Sequence, residues 1–292
     1  MKIYINDGLL NEDEARISVF DSGFVLGDGV WEGIRVCEGV PVFLKPHLDR
    51  LYEAAKALMI DVGRGPDALT QAIEETIAAN GLVDDAHLRV MVTRGVRKQP
   101  YQDPRLAVGQ ATLVIVPAKS PHDPEAAVRG LNLFTVHVRR GSPDIQDQKI
   151  NSHSKFNCVS ACIQANQAGA DEALMLDPQG FVATCNSTHF FIVRRGEVWT
   201  SNGDYCLGGI TRGNVIKLAH AHQIPMHEKR FSLTDVYGAD EAFVTGTLGG
   251  ITPVKMIDGR IMGAPEIPGP ITAKLSAAYH AMMSDDARRY RN

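Results

Sequence analysis

Apolar residues in this chain follow two rhythms, one of three- and four-residue steps and one of alternation or short continuous runs. From Pro46 to Ile60 the positions Leu48, Leu51, Ala54, Ala55 and Leu58 recur at helical spacing, which predicts an amphipathic helix. Pro66–Asn80 reads the same way, with proline in its first turn and Gly81 just past its end. Around these helices lie β-rich runs at Lys2–Asn6, Val40–Leu44, Leu88–Thr93 and Thr112–Pro117. The polar, proline-containing stretch Ala118–Arg129 reads as a connection between two halves. The second half opens on a β run, Leu131–Val138, and a polar loop follows through Ile150. A helix over Ser154–Ala168 is closed by Gly169, and strands follow at Ala173–Leu176, Phe190–Arg194, Glu197–Thr200 and Glu241–Thr245. Thr211–His222 and Pro270–Met283 are helical again. The pattern predicts an α+β chain with a small N-terminal domain over 1–120, a linker over 121–130 and a larger C-terminal domain over 131–292.

Composition narrows the classes. In 292 residues, 44% are apolar and 22% charged, ordinary values for a globular chain. Lys and Arg number 30 against 34 Asp and Glu, a formal net charge of −4, so the basic stripe expected of a nucleic-acid binder is missing. No apolar run approaches the ~18–20 residues of a membrane span, and MKIYINDGLL lacks the layout of a signal peptide. The five cysteines contain no CxxC pair and the ten histidines no HExxH spacing. Neither a metal site nor a disulfide framework is expected, and cysteine usage points to the cytoplasm.

Four segments carry candidate chemistry. In GDGVWEG (Gly27–Gly33) the third glycine falls one residue late for GxGxxG, so a tight turn leading into a strand is expected rather than a dinucleotide site. SHSKFN (Ser152–Asn157) is either a helix start with Ser154 as cap and a solvated Lys155, or a lysine placed for chemistry. GGITRGNV (Gly208–Val215) offers backbone N–H groups at a helix start, suited to an anion such as phosphate, or is an ordinary capped helix. VTGTLGGITP (Val244–Pro253) places hydroxyls and glycines at the end of a β run, where a second group of donors can converge.

In order and spacing, several segments together resemble the class IV (fold type IV) aminotransferases that use pyridoxal phosphate (PLP). That family includes branched-chain and D-amino acid aminotransferases and aminodeoxychorismate lyase. The segments are FDSGFVLGDGVWEGIRV (20–36), PHLDRLYEAAKAL (46–58), GADEALMLD (169–177), GGITRGNVIKLA (208–219) and DEAFVTGTLGGITPV (240–254). The resemblance implies a small α/β domain and a larger pseudo-barrel domain that binds PLP. It implies phosphate contacts from Arg50, from Ile210 and Thr211 at a helix start, and from Gly246 and Thr247. Trp31 falls where relatives line the substrate pocket, and Arg94 and Arg97 fall in a segment that recognises substrate carboxylates in some relatives.

Two positions depart from the family pattern. Relatives place the lysine that holds PLP as an imine about 18–19 residues before the glycine matching Gly169, where this chain has Asn151 and Ile150. Lys155 stands where branched-chain relatives carry a tyrosine facing the cofactor, and it is chosen over Lys149 as the imine former. His153 beside it is a candidate proton-transfer aid or an exposed loop residue. Thr184 occupies the place of a glutamate that keeps the pyridine nitrogen protonated, and a hydroxyl supplies no charge for that purpose. The expected activity is amino-group transfer between an amino acid and a 2-keto acid. A lyase or deaminase on the same scaffold, and a non-catalytic PLP-binding protein, stand as alternatives. The resemblance also implies a homodimer.

Overall fold

Strand Gly29–Cys37 alternates from Val30 onward: Val30, Glu32, Ile34 and Val36 are buried, while Trp31, Gly33 and Arg35 on the opposite face are half-buried. Such alternation is the mark of a sheet packed mainly on one side. The computed structural model describes residues 1–119, 124–264 and 266–292, and the chain divides into two units. The first comprises Met1–Pro121, Ile150–Ser154 and Met283–Asn292; the second comprises His122–Lys149 and Lys155–Met282. Residues 120–123 of the expected linker lie outside the described residues, and Pro124–Arg129 within it is a helix.

In the first unit six strands run in the order Gly8–Asn11, Lys2–Ile5, Thr112–Lys119, Ala86–Thr93, Gly29–Cys37 and Val40–Pro41, all neighbours antiparallel. Helices Leu44–Ala57 and Pro66–Ala79 bring Leu48, Leu51, Ala54, Leu69, Ile73 and Ile77 onto a core with Ile34, Leu88, Val90 and Ile115. The first helix begins at Leu44, ahead of the expected Pro46, because Phe43 turns the chain with φ 55° and donates its N–H to Asp286 at 2.6 Å. Proline still sits in the first turn, where its missing N–H costs nothing. That early start leaves only Val40–Pro41 of the expected strand 40–44. The turn expected at 27–33 is present: Gly27 adopts φ 68° and closes a short helix, Ser22–Leu26, before the strand begins.

Segment 150–154 returns to this unit as an added edge beside strand Gly29–Cys37. Trp31 N–H donates to the Asn151 carbonyl at 3.0 Å, and His153 N–H donates to the Gly29 carbonyl at 2.9 Å. Val30 and Ser152 form an isolated antiparallel bridge. The pairing holds the backbone extended through Ser154, so the next helix begins at Phe156 rather than Ser154. Its N-cap is Lys155, and Ser154 is not the cap.

In the second unit the sheet runs Met226–Glu228, Glu197–Thr200, His189–Arg194, Glu241–Gly246, Gly250–Ile257, Leu131–Thr135, Glu172–Leu176 and Val182–Cys185, with Arg260–Ile261 paired to Gly250–Ile257. The strand Glu172–Leu176 is buried throughout, which explains the apolar run Ala173–Leu176, and Val182–Cys185 is buried throughout as well. Leu174, Phe190, Ile192, Val244 and Ile257 form one core; Ala161, Ala165 and Met175 form another beneath helix Phe156–Gln167. Helix Ile210–Ala221 lies where periodicity placed it, whereas Pro270–Arg291 runs past the expected Met283. Buried Ala287 continues its apolar face beyond that point.

Candidate functional site

The first unit holds Arg50, Trp31, Arg94 and Arg97. Arg50 lies on helix Leu44–Ala57 and grips Glu32 through two bonds, Nε to Oε1 at 2.7 Å and Nη2 to Oε2 at 2.6 Å. His47, one turn earlier, places Nδ1 at 2.7 Å from the same Oε2. Burial drives the Glu32 carboxyl upward, but hydrogen bonds from His47 and Arg50 outweigh it and hold the pKa below the ordinary range. This carboxylate, 0% exposed, fixes the guanidinium plane. Sequence reasoning passed over Glu32, although an acid on the apolar side of an alternating strand was the signal.

Trp31 donates its indole N–H to the Ser152 carbonyl at 3.1 Å, and Asn151 returns a side-chain bond to the Trp31 carbonyl at 2.7 Å. Buried Asn151, which with Ile150 spans the positions where the family resemblance leads one to expect a lysine, is therefore a backbone clamp here. The Arg89 guanidinium stacks over the Trp31 ring at 3.7 Å, with no hydrogen bond or ion pair among the described residues. Burial alone pushes its pKa down.

Arg94 and Arg97 are otherwise engaged. Arg94 binds Asp28 through Nε at 2.6 Å and closes the end of helix Leu44–Ala57 by donating to the Leu58 and Met59 carbonyls. Arg97, 2% exposed, donates to the Tyr101 carbonyl at 2.5 Å and to the Asp103 carbonyl, with Asp28 at 3.8 Å. These bonds shape the 94–108 loop.

The second unit holds the two lysines and the remaining candidates. Lys155 is half-buried at the start of helix Phe156–Gln167, and Lys149 is exposed. Thr184, buried on strand Val182–Cys185, donates its hydroxyl to the Thr188 carbonyl at 2.8 Å. Glu172 holds the turn that carries this carbonyl. Its carboxylate accepts from the backbone N–H and hydroxyl of both Ser187 and Thr188, at 2.8–3.0 Å. Burial pushes the Glu172 pKa up despite those four donors. With its proton committed, the Thr184 oxygen presents lone pairs only.

Helix Ile210–Ala221 begins at Gly209, without a side-chain cap and without an acid in its first turn. The backbone N–H groups of its first turn and its dipole suit an anion. A Cβ on Gly209 would lie 2.4 Å from the His189 ring, whose Nε2 sits 2.6 Å from the Leu207 carbonyl. Only glycine allows this approach. Buried Thr211 places its hydroxyl 3.3 Å from that of Tyr279. Gly246 ends strand Glu241–Gly246, and Thr247 begins the tight turn to Gly250, with Gly246 and Gly250 paired across it. The hydroxyl of Thr245, fully buried, has no hydrogen-bond partner among the described residues. Of the phosphate candidates, Arg50 belongs to the first unit and Ile210, Thr211, Gly246 and Thr247 to the second. Among the described residues no cluster of His, Cys, Asp and Glu could hold a metal ion, and no helix is long and apolar enough to cross a membrane.

Comparison with known proteins gives these features a family. The profile described as Amino-transferase class IV matches residues 29–257. A branched-chain-amino-acid aminotransferase-like protein 1 of Arabidopsis thaliana is 37% identical over 284 residues, covering 97% of this chain and 50% of the relative. The chain thus spans about half the length of that protein. A branched-chain-amino-acid aminotransferase of Pseudomonas aeruginosa is 33% identical, covering 97% of this chain and 92% of the relative. Among solved structures, a T.th. branched-chain amino acid aminotransferase complexed with N-(5'-phosphopyridoxyl)-L-glutamate superposes with TM-score 0.90 at 30% identity, covering 98% of this chain and 94% of that one. The fold is that of fold type IV. This chain belongs to the class IV aminotransferase family.

Proposed function

We propose that this protein binds PLP and transfers an amino group between an amino acid and a 2-keto acid, with branched-chain amino acids as the first substrates to test. The N-terminus of helix Ile210–Ala221 carries this reading: it has no side-chain cap, no acid in its first turn and a buried hydroxyl at Thr211. A phosphate dianion suits those donors. Gly246 and Thr247 in the same unit are the further phosphate candidates; Arg50, in the first unit, is the candidate that the family resemblance implies, and Glu32 orients its guanidinium there. When bound, PLP supplies an electron sink for the carbanion left when the substrate loses its α-proton.

The chain's own residues supply the rest. Lys155 would hold the cofactor's aldehyde carbon and then carry the α-proton, tasks that require a neutral amine sheltered from water. Half-burial favours it over exposed Lys149. Thr184 would meet the ring nitrogen as a neutral acceptor, its own proton held by Thr188. Trp31 is the candidate for the substrate side, and Arg89, stacked upon it, is a better candidate for a substrate carboxylate than Arg94, which is bound to Asp28 and to the Leu58 and Met59 carbonyls, or Arg97, which is held by the Tyr101 and Asp103 carbonyls. The neutral partner at Thr184 also supports a second reading, elimination or deamination on the same scaffold. A homodimer is supported by Phe156, Val159 and Ile163, exposed along one helix face at 81%, 51% and 52%. Free cysteines, none in a disulfide, support a cytoplasmic location.

Borohydride reduction of the PLP-loaded protein followed by peptide mapping tests the assignment. An adduct on Lys155 is expected; one on Lys149 refutes that residue's role, and no adduct refutes catalysis through a lysine. Keto-acid release that requires an acceptor supports transfer, whereas ammonia released without one supports elimination.

A further inference from the structure

Tyr279 touches both groups of donors in the second unit. It is 2% exposed on helix Pro270–Arg291, and its hydroxyl lies 3.3 Å from that of Thr211 in the first turn of helix Ile210–Ala221. The edge of its ring lies against Gly250, where a Cβ would meet Cε1 at 3.3 Å and Cδ1 at 3.4 Å. Gly250 has φ +60° and pairs with Gly246, closing the turn that carries Thr247. One buried side chain therefore braces the helix start and the turn together.

We propose that Tyr279 is a positioning residue for the anion cradle, donating its phenol proton to the Thr211 oxygen so that the Thr211 proton points to the phosphate. The inference rests on the PLP reading above and deepens it. A hydroxyl carries one proton and two lone pairs, so a donor arriving from behind leaves its own proton for the ligand. Hydrogen bonds in series polarise one another, which strengthens the last bond to the anion. Among the described residues the Thr211 hydroxyl has no other hydrogen-bond partner than Tyr279. The ring contact acts separately, through packing that Phe can reproduce.

Tyr279→Phe separates the two roles because it keeps the ring on Gly250 and removes only the hydroxyl. Dissociation constants for PLP and for pyridoxal, which lacks the phosphate, are measured by equilibrium dialysis on wild type, Tyr279→Phe, Thr211→Val and the double variant. The expected result is PLP binding weakened about 5–10-fold in Tyr279→Phe, with pyridoxal binding changed less than about twofold. The double variant should bind PLP no worse than Thr211→Val alone, since the tyrosine acts through the threonine. Equal losses for PLP and pyridoxal, additive losses in the double variant, or unchanged PLP binding would each overturn the assignment of Tyr279 while leaving the cofactor reading intact. A wild-type protein that binds no PLP overturns both.

Discussion

Removing the carboxylate of Glu32 should cost far more than removing the whole charged pair. Glu32 is 0% exposed and receives three short bonds: two from Arg50, at 2.7 and 2.6 Å, and one involving His47 at 2.7 Å. Glu32→Leu leaves a guanidinium that is only 14% exposed without its carboxylate, a change that typically costs about 3–5 kcal/mol. Glu32→Leu combined with Arg50→Met replaces charge by apolar volume on both sides, and should recover at least about 2 kcal/mol of that loss. Urea unfolding at pH 7, followed by far-UV circular dichroism, gives both values.

The pH dependence supplies a second readout. The folded pKa of Glu32 lies below its unfolded value, so its stabilisation is fully present above the ordinary carboxylate range and is lost as pH falls through the folded value. The gap between wild type and Glu32→Gln should therefore be widest near neutrality and narrow in acid. If Glu32→Leu lies within about 1 kcal/mol of wild type, the charge argument fails. It fails too if the double variant is no more stable than the single one, because the loss would then come from packing.

Two further substitutions test the local geometry. Arg97→Met should destabilise the protein by about 3 kcal/mol in urea, because Asp28 and the Tyr101 and Asp103 carbonyls lose a buried donor; a raised substrate KM with unchanged stability would refute that structural role. Gly209→Ala should displace the His189 ring, which the new Cβ would approach to 2.4 Å, and weaken PLP binding at least about tenfold. Undiminished PLP affinity in dialysis would show that the helix start tolerates the shift.

Much of the architecture follows from local pattern. Helix Pro66–Ala79 and strand Thr112–Lys119 lie close to their expected bounds because period and flanking turn residues agree there. Strands Gly8–Asn11 and Val182–Cys185 carry no such signal, being four residues each with no repeated alternation to betray them. Among candidate site residues, glycine and hydroxyl spacing pointed to the segments around Thr211 and Thr247. Glu32, Glu172 and Tyr279 stayed hidden, since each acts on a partner distant in sequence: Arg50 at 18 positions, Thr188 at 16 and Thr211 at 68.

By itself the sequence determined the α+β class, through the periods of its apolar positions, and the order of its motifs carried the family resemblance that implies which residues are offered to a phosphate. Tertiary structure decided which charges are available for chemistry. Arg94 and Arg97 look equivalent to any other surface arginine in sequence, yet folding commits the Arg94 donors to Asp28 and two carbonyls, and a terminal nitrogen of Arg97 to two more. Arg89 keeps its donors clear of carboxylates by stacking on Trp31, and Asn151 becomes a clamp on the Trp31 backbone. A side chain's hydrogen-bonding capacity is set by its type, but the share left for a ligand is set by the neighbours that folding brings to it.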